Sequence, residues 1–401
     1  LTIGAGFTFT GGAVAIAPSS KSVAGTIDAT ASALNFGTTG VTLTGATTFN
    51  GTTGAVTLGA VTGSFNLIIA GSGTDVIASA SIGTGALDLT GMTGGTVTVS
   101  GNLTAAALTT AAAVYNIALN GGGTVTGAVT FSNTGTLTIG AGFTFTASAT
   151  GTGLSALSLA GTVAAGAGTG VLNFGAVPVT VTAAATMGGA STGQITLGAT
   201  TINAGAVLTL GAGAATPVSI GVVTSGGAGA GLTLNTSGLV APGAITLTGN
   251  LALTLGTLPM GLNALNVAGN VTRGTGLITS TGTVTLNGGA VQAADFTSST
   301  LTNLTIAPTA AITVTVTPPA TTIGTVSLTS TGFAYTGTFA TTALAAATLS
   351  VAAGTFNVAL NAGGTVTTAV TFSNTGTLTI GAGFTFTAGA TAVAPSAKNV
   401  S

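Results

Sequence analysis

The sequence predicts an all-β chain wound as a parallel β-solenoid (parallel β-helix), and three observations carry that prediction. Apolar and polar residues alternate with period two in short runs. A decapeptide and its surroundings recur at long spacing. The composition also suits a thin interior better than a broad globular core. Of 401 residues, 67 are Gly, 87 are Thr and 46% are apolar, mostly Ala, Val, Leu and Ile. The charged residues are Lys21, Arg273, Lys398, Asp28, Asp75, Asp88 and Asp295 alone, and the net charge is −1.

The strand pattern is read from alternating, β-branched runs: residues 41–44 (VTLT), 96–100 (TVTVS), 136–139 (TLTI), 143–146 (FTFT), 283–286 (TVTL) and 312–317 (ITVTVT). Such side chains pack well on a pleated, half-buried surface. Gly, Asn-Gly and Ser-Asn pairs bound these runs and supply the bends that corners need. Strand-like runs recur every ~8 to 12 residues, the spacing of a sandwich, barrel or solenoid. A sandwich carries large core anchors and a charged exterior. With 16 Phe and no Trp in 401 residues, this chain lacks that investment. A solenoid needs only small aliphatic residues stacked on their equivalents in the next coil.

The repeats follow. LTIGAGFTFT occurs at residues 1–10, 137–146 and 378–387. Around the second and third copies, residues 114–146 and 355–387 differ at 5 of 33 positions. The first and third copies share a continuation, so that Lys21 and Lys398 hold equivalent positions at an offset of 377. Between the first two copies the markers Leu34-Asn35-Phe36-Gly37 and Leu172-Asn173-Phe174-Gly175 are shifted by 138 instead of 136, as when an insertion falls in a loop of a stacked unit. Residues 1–401 are therefore expected to be one continuous solenoid. At roughly 20 to 30 residues per coil and about 4.8 Å between stacked strands, it has on the order of 13 to 20 coils over roughly 65 to 95 Å. Leu1 lies inside a motif and Ser401 stops where the first copy continues, giving the expectation of an uncapped segment of a longer rod.

Several function classes are disfavoured. No Glu, His, Cys or Trp is present, so general acid–base chemistry, metal ligation and thiol chemistry lack their usual groups. The expectation is no enzyme, no catalytic, cofactor-binding or metal residues, and no cofactor. Three basic residues cannot neutralise a phosphate backbone, which argues against nucleic acid. A mean hydropathy of +0.79 raises the question of a membrane. Yet polar residues interrupt every apolar run, the nearest case being residues 105–119, and the aromatic girdles of a membrane barrel are absent.

Phrases such as VTLTGATTFNGTTGAVTLGAVTGSFNLIIAGSGTDV, TVTVSGNLT and GAITLTGNLALTLG resemble the Gly/Thr/Asn-rich repeats of filamentous-haemagglutinin-like and autotransporter-type bacterial surface proteins. The resemblance covers essentially the whole chain and implies a right-handed parallel β-helix in a secreted or cell-surface rod, often adhesive. The expected role is structural: an extracellular fibre, sheath or filament that self-associates, with an adhesin stalk contacting a cell surface or carbohydrate as the alternative.

Four local features invite sharper readings. Gly71-Ser72-Gly73-Thr74-Asp75-Val76-Ile77 fits the phrase of calcium-binding β-rolls, but those need consecutive copies, so an Asp-capped turn is the plainer reading. Arg273 and Asp295 lie about one coil apart and resemble the charged clusters of polysaccharide-cleaving β-helices. A glycosidase-type site, however, needs two facing carboxyls, and Asp75 and Asp88 have no spacing that brings them together. The plainer reading is isolated, solvated charges. Repeated Thr-x-Thr (Thr8/Thr10, Thr42/Thr44, Thr96/Thr98, Thr136/Thr138) resembles ice-binding solenoids, against the plain fact that Thr is a good strand former. Asn50, Asn102, Asn235, Asn270, Asn303 and Asn399 begin Asn-x-Ser/Thr glycosylation sequons.

Overall fold

The computed structural model describes residues 1–401 as strands joined by turns, with no helix. The chain falls into two compact units, Leu1–Thr200 and Thr201–Ser401, and each is a parallel β-solenoid. Over the two units there are about 20 turns.

A coil is short. The segment after Gly95 shows its plan: strands Asn116–Leu119, Gly123–Val125 and Val129–Thr130, then a corner at Ser132-Asn133-Thr134-Gly135. The register between coils varies a little. Thr57 lies beside Val76 at the short extreme and Val207 beside Gly231 at the long one, and the spacing of Ser22 beside Thr42 recurs throughout. That lies at the tight end of the expected range.

Because the ladders are parallel and in register, like positions stack into columns. In the first unit one interior column reads Leu34, Val56, Asp75, Val97, Ile117, Leu137, Leu157, Val179. In the second unit the corresponding construction reads Leu208, Leu232, Leu251, Val271, Ala294, Val316, Phe339, Leu360. Alternation puts the intervening Thr, Ser and Asn outside.

The repeats are structural replicates. Phe131 and Phe145 meet edge-to-face at 5.9 Å, and their repeat equivalents Phe372 and Phe386 at 5.8 Å. Asn133 Nδ2 donates to Tyr115 O at 3.0 Å, and Asn374 Nδ2 to Phe356 O at 3.1 Å. Gly123 and Gly364 share φ of 141° and 142°, and a Cβ at either would lie 2.1 Å from the carbonyl oxygen of Leu103 or Leu344. No other residue fits there.

The shift from 136 to 138 also has a place. Phe7 pairs with Ile27 and Phe143 with Val163, both 20 apart, but Ala13 pairs with Leu34 at 21 and Ala149 with Leu172 at 23. The extra residues enter between Ala165, still 20 from its partner Phe145, and Leu172, where the strand Ala156–Gly168 also shifts register against the following coil. A bulge absorbs them without disturbing the stack.

The three decapeptides differ in burial because they differ in neighbours. Phe143, with a coil on each side, is 1% exposed, whereas Phe7, with a described neighbour on one side, is 55% exposed. A single coil is thus an unfinished surface. Replacing Phe143 by Ala should cost about 3 to 5 kcal/mol, while replacing its outward neighbour Thr144 by Ala should change stability by about 0.5 kcal/mol or less. Denaturant melts followed by far-UV circular dichroism measure both, and equal effects would contradict the inward–outward assignment.

Candidate functional site

The polar and charged groups define what chemistry the scaffold can carry. Asp88 sits between Leu87 and Leu89, both buried, so alternation places it outside. Its Oδ1 accepts from Thr90 N at 2.9 Å, Thr90 Oγ1 at 2.7 Å and Thr109 Oγ1 at 2.9 Å. Burial pushes this carboxyl up, but those bonds outweigh it and hold the group below its ordinary value. Asp88 and Asp75 lie on different faces and form no pair.

Arg273 and Asp295 line one depression of 330 Å³ in the second unit, with no bond between them. Each is occupied locally. Arg273 Nε donates to Gly276 O at 2.9 Å, and Asp295 Oδ1 accepts from Thr297 N at 2.8 Å and Thr297 Oγ1 at 2.6 Å. Asp295 is the one carboxylate in the lining, so the two-carboxyl geometry of glycoside hydrolysis is not assembled there.

Two charged residues are buried, and for Asp75 this corrects the readings as a turn cap and as a solvated charge. Lys21 is 1% exposed and sits in the column of Val41 and Val61. Its Nζ donates to Pro18 O at 3.3 Å, and the equivalent Lys398 repeats the bond to Pro395 O at 2.9 Å. Asp75, also 1% exposed, points into the aliphatic column instead of capping its own turn. Its Oδ1 accepts from Val56 N at 2.7 Å, one coil away, and its Oδ2 has no partner. Other buried polar groups are better served: Gln292 Nε2 donates to Val267 O at 2.7 Å and Gly269 O at 2.6 Å, and its Oε1 accepts from Gly288 N at 3.2 Å.

Burial pushes the Asp75 carboxyl up to about 6, against the opposing pull of the Val56 N–H, from an ordinary value of 3.8. The folded state therefore binds this proton more tightly than the unfolded state. Its contribution favours folding at low pH, is lost as pH rises between 3.8 and about 6, and stays lost above that. The penalty is on the order of 2 to 3 kcal/mol.

As a calcium site the Gly71–Asp75 phrase offers one inward carboxylate, whereas calcium takes six to eight oxygens. No group of three or more acidic, His or Cys residues occurs that could hold a metal. The Thr-x-Thr pairs also resolve differently from the ice-binding pattern. Thr2, Ser22, Thr42, Thr62, Ser81, Thr104, Thr124 and Thr144 make one continuous hydroxyl rank. Two residues further on stand Gly4, Ala24, Thr44, Ser64, Gly83, Ala106, Thr126 and Thr146, so the second rank is broken. Of the sequon asparagines, Asn102 and Asn399 are exposed, while Asn270 Oδ1 is engaged by Ala293 N at 2.8 Å.

The fold defines a β-solenoid repeat protein. No protein family matches the chain, and neither a curated protein nor a solved structure matches it. No helix is long and apolar enough to cross a membrane. With one carboxylate at the Gly71–Asp75 phrase, millimolar calcium should leave the thermal midpoint unchanged; a rise of several degrees would establish a site.

Proposed function

We propose that this chain serves as a structural, non-enzymatic rod: a stretch of extracellular β-solenoid in a microbial surface fibre, sheath or filament. The observation that carries the reading is the unbroken column construction of both units, in which reactive groups are isolated from one another. Asp75 and Lys21 are buried, Asp88 and Asp295 are tied to Thr hydroxyls, and Arg273 is bonded to backbone. Nothing converges on a reacting atom, which is the first requirement of an active site. The resemblance to haemagglutinin-like surface repeats supports the extracellular setting, and the low net charge supports self-association.

A second reading, the stalk of an adhesin, draws on the outward Leu239 and Leu262 of the second unit, 86% and 85% exposed. Exposed large aliphatic groups of this kind mark contact surfaces when they gather. Negative-stain images of the native assembly separate the two: laterally or axially associated rods support the filament, and single rods ending in a distinct domain support the stalk.

Durability is open to a direct test. Trypsin has targets only at Lys21, Arg273 and Lys398. Lys21 is buried and Arg273 ends a ladder strand, Val271–Arg273, so cleavage at either requires local unfolding. Native digestion followed by mass spectrometry should remove the residues after Lys398 at most. Rapid cutting at Arg273 would count against a rod built to persist.

A further inference from the structure

We infer that Asp75 makes the pair of adjoining coil segments between Gly51 and Ser81 a proton-controlled weak point, closed when the carboxyl is neutral and prone to local opening when it is ionised.

The inference rests on where the carboxyl lies. Val97 stacks directly on Asp75, and Val56 precedes it in the same aliphatic column. The group is 1% exposed, holds one hydrogen bond through Oδ1 to Val56 N, and leaves Oδ2 bare. A neutral carboxyl tolerates such a place, but an ionised oxygen with no donor or cation of the protein beside it is penalised by burial. No neighbour compensates. The strand Thr74–Ser81 packs on Val56–Thr62, Thr96–Val99 and Leu103–Ala105, none of which carries another titratable or charged group. The turn at residues 50–55 and the strand Leu67–Gly71 carry none either.

The surroundings also show what would give way. The bond to Val56 N anchors the start of the strand Val56–Thr62, and the same segment holds the coil on its other side: Leu34 N donates to Ala55 O at 2.9 Å and Phe36 N to Thr57 O at 2.8 Å. The corner that shields the carboxyl is made of Gly54 and Gly73, stacked so closely that a Cβ on Gly73 would lie 2.3 Å from Gly54 O. Thr52 in that turn sits at φ 56°, a conformation unfavourable for a β-branched residue. Glycines contribute no side chain to cover the group once the turn moves. The rest of the column from Val97 to Val179 is aliphatic and has no reason to respond.

Hydrogen exchange read by mass spectrometry on the full chain, at pH 4.5 and pH 7.5 with intrinsic rates corrected, tests the inference. Peptides within residues 51–81 should be protected roughly tenfold or more at the lower pH, while residues 114–139 should not change. Asp75→Asn should show the acid-level protection at both pH values, and Asp88→Asn should keep the wild-type contrast. If Asp75→Asn fails to fold, Asp75→Val, which completes the aliphatic column, takes its place with the same expectation. Equal protection of residues 51–81 at both pH values overturns the inference. So does a contrast that survives removal of the Asp75 carboxyl or disappears with that of Asp88.

Discussion

One constraint governs this chain: the inward face of each coil must lie in register on the next, so that ladder residues face like positions one coil away and bulges take up the differences in coil length. The parallel ladder enforces it, since a slip of one residue turns the inward face outward. Small aliphatic residues follow from it, because a side chain in the column needs a partner of matching size above and below. So does the scarcity of charge, because a charged residue placed inside meets like positions that are apolar. Charged outward columns would meet a neighbour every coil, and Thr, Ser and Asn fill that role without repulsion.

The near-identical segments 114–146 and 355–387 show how tightly this constraint specifies detail. They sit in separate units, yet ring geometry, side-chain bonds and the positive-φ Gly123 and Gly364 are reproduced. Even the flaw is copied: Asn133 Oδ1 and Asn374 Oδ1 are both buried without a partner. Repeats made of few residue types are poor in sequence information, but a short coil with fixed neighbours has few ways to pack. The stack supplies the specificity that composition lacks.

The same geometry explains why the scaffold gathers so little chemistry. Bringing two functional groups together requires that both occupy outward positions on adjacent coils; Asp295 does, but Arg273 lies in register with the buried Leu253, and the two meet only as neighbours lining one depression. With seven charges over the whole chain, such coincidences are rare, and the one that occurs is absorbed by local bonds to Gly276 and Thr297. The isolation of Asp75 is the opposite case, in which a charge-bearing residue is placed where the stack can least accommodate it.

Strand positions, the absence of helix, the repeat spacing and the insertion between the first two copies were all legible in the sequence, because alternation and self-similarity are local patterns that the ladder preserves. Asp88 was legible too: flanked by Leu87 and Leu89, it could face only outward. Asp75 was not, since Val76 and Ile77 are both apolar and the alternation leaves its face undecided. Lys21 carried a signal that went unused, standing two residues before the inward Val23. Coil length, the placing of Arg273 and Asp295 around one depression and the burial of Asp75 were settled only by tertiary structure. Each depends on which residue of the neighbouring coil lies opposite, and that register is fixed by contacts a whole coil apart in sequence, beyond the reach of any local pattern.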